Sequence, residues 1–453
     1  MPERSLKITR DGSDAHRRDA AAVRADLRER LGDERFARLT DRLAEVSGHI
    51  ATRGILSYSS GARFADLYTG YSYGEFYDWD LYFDSIHLSH WGVSRYARTN
   101  VEAFLDTQRA SGFVPRSLLT PRLRDQFKPF LAQTALLNCR QTGNFGWLAG
   151  RYYGALKKSV DYWFWHCDFD KNGLCVWDGA GHSGMDNHFR RLGVDGSMST
   201  EGVDLNCYLL RELRALAEIA RSLGKTSDAA GFDRHAEQLA AKIDATFWDE
   251  ADGFYYDRHE RTGDPVRIKS VAGFVPLWLG VAPPERAERL VREHLLNPDE
   301  FWLKHPVACW SKSEPDYYQQ RKADECNWRG TTWIPTNYMV FQGLRRYGFE
   351  AEARELAWKT FDLVLNEETT REYYDGENGV GQGLSPFWGW SALAYFMPLE
   401  LELGYDPTDV TRESLVPLAC EVLGLTFPEV RAQRCPDPDP HYFRELLHGP
   451  IIT

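Results

Sequence analysis

The 453-residue sequence has no apolar run long enough to cross a bilayer, and residues 1–20 are polar and charged, without the apolar core of a secretory signal. A cytoplasmic protein with no membrane partner is expected. The eight cysteines (Cys139, Cys167, Cys175, Cys207, Cys309, Cys326, Cys420 and Cys435) include no C-x-x-C pair, so neither a zinc site nor a disulfide framework is signalled. Basic residues are the minority, 54 against 66 acidic, and the formal charge of −12 argues against a nucleic-acid partner. A P-loop, a dinucleotide glycine fingerprint, a serine nucleophile elbow and an H-E-x-x-H helix are all missing, which removes most cofactor-dependent chemistry. No cofactor and no metal are expected. Asp168, Asp170 and Asn172 before Gly173 imitate the start of a calcium loop, but Gly179 stands where the closing glutamate is needed, so a turn is the expectation.

Strand signals are few as well: Phe254-Tyr255-Tyr256 and some short aromatic pieces suit hairpins. Helical spacing dominates instead. Residues 15–50 carry Val23, Leu27, Leu31, Phe36, Leu39 and Leu43 as one narrow apolar stripe, which predicts one or two amphipathic helices packed outside a main body. That stripe suits either the chain's own barrel or a second subunit. Further helices are expected over 93–111, 131–141, 145–165, 200–223, 227–247, 284–296, 332–347, 350–366 and 390–403. They arrive in pairs, a short loop alternating with a long one, which suggests a toroid of helical hairpins with its site at one end. A bundle or solenoid shares that periodicity. No low-complexity linker divides the chain, so a helical extension (1–50) on one catalytic domain (51–453) is the economical reading.

Aromatics are abundant at 13%, with 15 Trp and 22 Tyr, and they concentrate in loops beside carboxylates. Rings in such places either fill a core or stack on sugar faces. Tyr73-Gly74-Glu75-Phe76-Tyr77-Asp78-Trp79-Asp80-Leu81-Tyr82-Phe83-Asp84 alternates carboxylates with rings, and an Asp-capped helix start is its plainer explanation. The turn from Gly112 to Arg116 precedes Gln126-Phe127-Lys128-Pro129. The loop His182-Ser183-Gly184-Met185-Asp186-Asn187 places a carboxylate beside a glycine, a candidate general acid, although a turn aspartate is the commoner thing. Such an acid must be protonated at working pH, which needs desolvation or a neighbouring carboxylate. Downstream, Asn327-Trp328-Arg329-Gly330-Thr331-Thr332-Trp333 puts a guanidinium between tryptophans, and Arg371-Glu372-Tyr373-Tyr374-Asp375 leads to Gly381-Gln382-Gly383 and Phe387-Trp388-Gly389-Trp390. Two carboxylates in aromatic, glycine-rich settings are the minimum equipment for glycoside hydrolysis.

In this order the clusters resemble the trehalase-like glycoside hydrolases, families 63 and 37, over roughly residues 71–397. The resemblance implies an all-α (α/α)6 barrel with a few short strands in loops, and hydrolysis of an α-glycosidic bond with inversion. Asp186 is then the general acid and Glu372 the general base, about 6.5–9.5 Å apart to admit a water. Asp80, Arg116, Trp328 and Arg329 are expected to hold the sugar, Trp79, Trp388 and Trp390 to wall the site, and Gln126 and Gln382 to contribute nearby. His182 stands where trehalases tend to have glutamate, and the segment 187–191 is more basic than a trehalase suggests. These departures favour a small α-glucoside or α-mannoside with a carboxylate-bearing aglycone, glucosylglycerate being the preferred guess, met by Lys128, Arg190 or Arg191. A trehalase or other disaccharide α-glucosidase is the alternative within the class. A sugar epimerase or a non-hydrolytic carbohydrate-binding protein is the alternative outside it. The partner is in any case a small carbohydrate, and the glycine-rich 374–383 segment is a candidate lid.

Overall fold

A computed structural model describes residues 14–60, 63–70, 74–120, 125–177, 183–188, 200–320, 322 and 326–436, with side chains from residue 20 onward. The longer helices are α1 (Asp14–His49), α2 (Asp78–Ser89), α3 (Arg95–Asp106), α4 (Leu131–Thr142), α5 (Arg151–His166), α6 (Val203–Ser222) and α7 (Thr226–Phe247). After them come α8 (Val275–Leu279), α9 (Pro284–Arg289), α10 (Ile334–Arg346), α11 (Glu350–Asn366) and α12 (Met397–Glu402), the last entered through a 3₁₀ segment, Trp390–Tyr395.

Burial divides these helices into two sets. Every residue of α2 is buried, as is α10 from Ile334 to Leu344, whereas α7 buries only Ala229, Ala236, Leu239, Ile243 and Phe247 along one stripe. A helix covered all round belongs inside; a helix with one stripe lies outside. The inner segments close a circle: α2 meets α4, α4 meets α6, α6 meets α8, α8 meets α10, α10 meets the 3₁₀ segment, and that segment meets α2. With α1, α3, α5, α7, α9 and α11 outside, this is the (α/α)6 barrel expected from the resemblance. Trp79 and Asp80 in the first turn of α2, Trp333 at the head of α10 and Trp390 at the head of the 3₁₀ segment therefore share one end.

Helix α1 is interrupted at Gly32, whose backbone (φ 72°, ψ 165°) is not helical. Its stripe from Val23 to Leu43 is buried in the same core as the barrel, and α1 rests on α11 and the 3₁₀ segment. Arg30 lies 3.6 Å above the Trp358 ring, and Arg35 bonds Asp362 at 2.6 Å. The stripe thus packs on its own chain. Among the described residues, no helix is long and apolar enough to cross a membrane.

Several boundaries differ from the sequence expectation. The 145–165 helix splits into a 3₁₀ turn, Gly146–Leu148, and α5, because Gly150 takes a non-helical ψ of −124°. The 390–403 helix is 3₁₀ in its first half. Residues 284–296 finish as a π-helical stretch, Leu290–Leu295. The hairpin of β1 (Ile55–Ser60) and β2 (Arg63–Tyr68), with Ile55 opposite Tyr68, was not foreseen, since β1 is half serine. Phe254–Tyr255 does form a hairpin, with Trp248–Asp249. Asp168 to Gly173 is the expected turn, closed by Gly173 N–H on Asp168 Oδ2 at 3.0 Å.

Candidate active site

The first turn of α2 sets one wall. The Asp78 carboxylate accepts from its neighbour's amide, Trp79 N–H, at 2.8 Å, from Lys128 N–H at 3.0 Å and from Lys128 Nζ at 2.7 Å. A carboxylate in the first turn also suits the helix dipole. Glu75 gathers the amides of Phe76, Leu119 and Thr120 together with the Thr120 hydroxyl, which fixes the rim beyond Arg116. Between these anchors, Trp79 and Asp80 face a cavity of about 410 Å³, within the range of small-ligand sites.

Asp186 reaches that cavity from a loop stitched to the 327–329 segment. Asn187 accepts from Trp328 N–H at 2.8 Å on its side-chain oxygen and from Arg329 Nε at 2.6 Å on its carbonyl, and His188 Nε2 lies 2.6 Å from the Trp328 carbonyl. Gly184, at φ +78°, has Lys128 Cε only 2.9 Å from where a Cβ would sit, so the loop turns against the lysine stem. Glu372 enters from the other side on the pair Tyr373–Tyr374 with Gly381–Gln382. Its Oε2 accepts from Leu384 N–H at 2.9 Å, and Cys326 Sγ donates to Oε1 at 3.5 Å. Four tryptophans complete the walls. Trp328 stacks on Trp333 at 3.6 Å, Trp333 on Tyr373 at 4.5 Å, and Trp79 and Trp390 meet edge-on at 6.1 Å.

Of the residues selected from sequence, Asp186, Glu372, Trp79, Asp80, Arg116, Trp328 and Trp390 line the cavity. Five described ones do not line it. Lys128 is buried under Gly184 in its ion pair with Asp78, where burial first, and then Arg116, pull its pKa down to about 8. Arg329 is buried behind Trp328, donating to Asn187. Gln126 accepts from Val114 N–H at 2.8 Å and so holds the 112–116 turn. Gln382 donates to the Gln319 carbonyl at 2.9 Å, and Trp388 to the Thr69 carbonyl at 3.0 Å from a fully buried position. These groups brace the wall. His182, Arg190 and Arg191 lie outside the described residues.

The cavity also takes Tyr77, Ser117, Thr120, Asp125, Cys326 and Trp333, none of which was selected as a site residue. Trp333 and Tyr77 lay inside motifs already singled out, so a strict reading of those motifs would have found them. Nothing local marks Cys326 or Asp125. Around Arg116, burial disfavours the charge, but Asp78, Asp186, Asp125 and Asp80 overcome that and hold the guanidinium above its ordinary range. The 374–383 segment, the candidate lid, is braced by its own bonds: Asp375 Oδ1 accepts from Glu377 N–H and Asn378 N–H at 2.8 Å each, and Gly376 N–H bonds Gln319 Oε1 at 2.8 Å.

The chain is thus a helical barrel with a tryptophan-walled, carboxylate-lined cavity at one end. The sequence model of the mannosylglycerate hydrolase MGH1-like glycoside hydrolase domain matches residues 73–391, and the chain belongs to that family. Its relatives include the mannosylglycerate hydrolase of Rubrobacter radiotolerans, 30% identical over 206 residues, covering 45% of this chain and 44% of that one. The mannosylglycerate hydrolase of Thermus thermophilus is 37% identical over 153 residues, 33% of this chain and 34% of the relative. The cytosolic neutral trehalase of Kluyveromyces lactis is 30% identical over 195 residues, 41% and 25%. The matches thus span less than half the length of these relatives. The crystal structure of a GH63 mannosylglycerate hydrolase from a second strain of Thermus thermophilus, with Tris and D-glycerate, superposes with a TM-score of 0.63 at 22% identity, over 79% of this chain and 99% of that one, a likeness of fold.

Proposed function

We propose that the chain is an inverting α-glycosidase that releases a hexose from a small α-mannoside or α-glucoside of a carboxylate-bearing aglycone such as glycerate. The observation that carries this reading is that Asp186 and Glu372 open into one cavity between Trp79, Trp328, Trp333 and Trp390. Asp186 protonates the glycosidic oxygen as the bond to the anomeric carbon breaks. Glu372 takes the proton of a water that attacks that carbon from the opposite face, which requires the two carboxyl groups to stand about 6.5–9.5 Å apart. Asp80 and Arg116 bind hydroxyls of the sugar, and the rings cover its C–H faces. The glycerate aglycone is supported by the mannosylglycerate hydrolases among the relatives. A cytoplasmic setting accords with the cytosolic trehalase among them.

One feature favours a second substrate. Among the described residues, Asp80, Asp125, Asp186 and Glu372 line the cavity against the single guanidinium of Arg116, an acidic balance better suited to a neutral disaccharide such as trehalose. Purified protein assayed on mannosylglycerate, glucosylglycerate, trehalose, kojibiose and maltose separates the two. Cleavage confined to trehalose overturns the carboxylate aglycone, and retention of anomeric configuration by NMR overturns the inverting mechanism. Epimerisation without hydrolysis, or binding without turnover, overturns the glycosidase reading itself.

A further inference from the structure

The far end of the barrel carries a second cavity, of about 300 Å³, among the C-terminal halves of α4, α6 and α10, the end of α8 and the 406–409 loop. Four arginines line it, and they are not equivalent. Arg140 is neutralised: Nε and Nη2 clasp Glu218 at 2.6 and 2.5 Å, and Nη1 reaches Asp409 at 3.1 Å. Arg211, Arg214 and Arg346 meet only neutral acceptors. Arg211 Nη2 donates to the Tyr82 hydroxyl at 3.0 Å, Arg214 Nη1 to the Leu279 carbonyl at 2.9 Å, and Arg346 Nε to the Trp278 carbonyl at 3.0 Å. Among the described residues, no carboxylate comes within ion-pair distance of these three.

Cations at helix C-termini are ordinary complements to the helix dipole. Here that role occupies one N–H of Arg214 and one of Arg346, and the Tyr82 hydroxyl occupies one of Arg211, which leaves the rest of each fork over. Arg211 Cζ lies over the Trp278 ring, 3.7 Å from its centroid, and its Nη1 is buried with no hydrogen-bond partner. An unsatisfied buried donor of this kind marks a place for an acceptor. Arg214 and Arg346 keep part of their surface exposed; partial burial first, and then the nearby charges of Arg346 and Arg211, draw the Arg214 pKa below the ordinary range. Asp406, the remaining carboxylate of the wall, is turned to Thr408, accepting from its amide and its hydroxyl at 2.8 Å each. Four arginines against Glu218, Asp406 and Asp409 leave the wall one positive charge in excess, in a chain of net charge −12.

We propose that this cavity is a binding site for a phosphate group, held by Arg211, Arg214 and Arg346, at the opposite end of the barrel from the carboxylate-lined cavity. Guanidinium forks match the oxygens of phosphate in pairs, and the volume admits a free phosphate or one carried on a hexose. Calorimetric titration of the full chain with inorganic phosphate, glucose 6-phosphate and glucose, at constant ionic strength in chloride, tests the site. Saturable binding of inorganic phosphate is expected, weakened at least about tenfold in Arg214→Gln/Arg346→Gln. Binding of glucose 6-phosphate tighter than that of inorganic phosphate, and lost in the double variant, identifies a sugar phosphate as the source; equal binding identifies the free ion, and any heat from glucose alone, unchanged in the double variant, belongs to the carboxylate-lined cavity. Thermal unfolding without phosphate checks that the double variant is folded. Arg211→Lys, which keeps the charge over Trp278 and loses the fork, is the second variant and is expected to weaken phosphate severalfold. Absence of phosphate binding, or equal affinity in the wild type and a folded variant, overturns the proposal.

Discussion

The two carboxylates proposed for catalysis are held in opposite ways. Glu372 is 9% exposed and is gripped directly, by the Leu384 amide on one oxygen and the Cys326 thiol on the other. Asp186 is exposed, and the structure instead grips its flanks. Ser183, Gly184, Met185 and His188 are buried, and Asn187 is tied to the Trp328 amide and the Arg329 guanidinium. A general base that must orient one water gains from a fixed carboxylate, whereas a general acid must follow an oxygen that arrives with the substrate. The supports differ in charge as well. Behind Asp186 stands the ion pair of Lys128 and Asp78, while the Leu384 amide and the Cys326 thiol, both neutral, donate to Glu372.

The largest effects come from the carboxylates themselves. Asp186→Asn and Glu372→Gln are each expected to lower kcat by about 10²–10⁴-fold on natural substrates. An aryl glycoside with a good leaving group sharpens the contrast, since it needs no protonation. Activity of Asp186→Asn should recover on it and that of Glu372→Gln should not. Equal recovery in both would erase the distinction between acid and base.

Next in size is the ion pair behind the acid loop. Lys128→Met leaves the Asp78 carboxylate buried without its cation, and removing one partner of a buried pair costs about 3–5 kcal/mol. The pH dependence carries a definite sign. The Lys128 pKa, about 8, lies below the ordinary 10.5, so between those values the unfolded chain binds more protons than the folded one. The contribution of this group to stability therefore rises from pH 8 to 10.5, as the cost of the buried ammonium is relieved. Denaturant unfolding across that window should show the wild type gaining on the variant. A constant difference between them would place the lysine outside the core of this loop.

On the base side, Gly383→Ala tests direct gripping. The backbone there has φ +73°, and an added Cβ would lie 2.4 Å from Glu372 Oε2, so the carboxylate must move. A shift of about 1 Å in a catalytic group can lower turnover about 10²-fold. The drop should appear in kcat, with KM little changed, because the sugar-binding rings stay in place. A rise in KM alone would make Glu372 a binding group.

The same contrast explains what was legible in the sequence. Long outer helices were readable because a single stripe repeats, and α11 appears with the boundaries expected, 350–366. The inner α8, five residues long, is shorter than two helical turns and shows no period. The entirely buried α2 has no polar face to mark it, and so it read as a cluster of acids and rings. Within the site, residue type revealed chemistry without revealing side. Asp78, Trp79 and Asp80 are consecutive, yet Asp78 points back to Lys128 while the other two face the cavity. Lys128, Arg329 and Trp388 had the right chemistry on the wrong side of the wall. Only the register of the backbone, set by contacts distant in sequence, decides between the two.

The smallest expected effect concerns the weaker of the two donors on Glu372. A thiol is a poor hydrogen-bond donor, and 3.5 Å is an ordinary length for its bond to oxygen, so Cys326 steers the carboxylate less firmly than the Leu384 amide does. Cys326→Ala removes the donor and is expected to lower kcat severalfold, with KM within about twofold. Cys326→Ser restores a donor of similar size, and its kcat should return to within about twofold of the wild type. If alanine and serine behave alike, the thiol acts by filling space beside the sugar, and the Leu384 amide, not Cys326, orients the Glu372 carboxylate. The contrast with Asp186 would then rest on burial and on the backbone at Leu384.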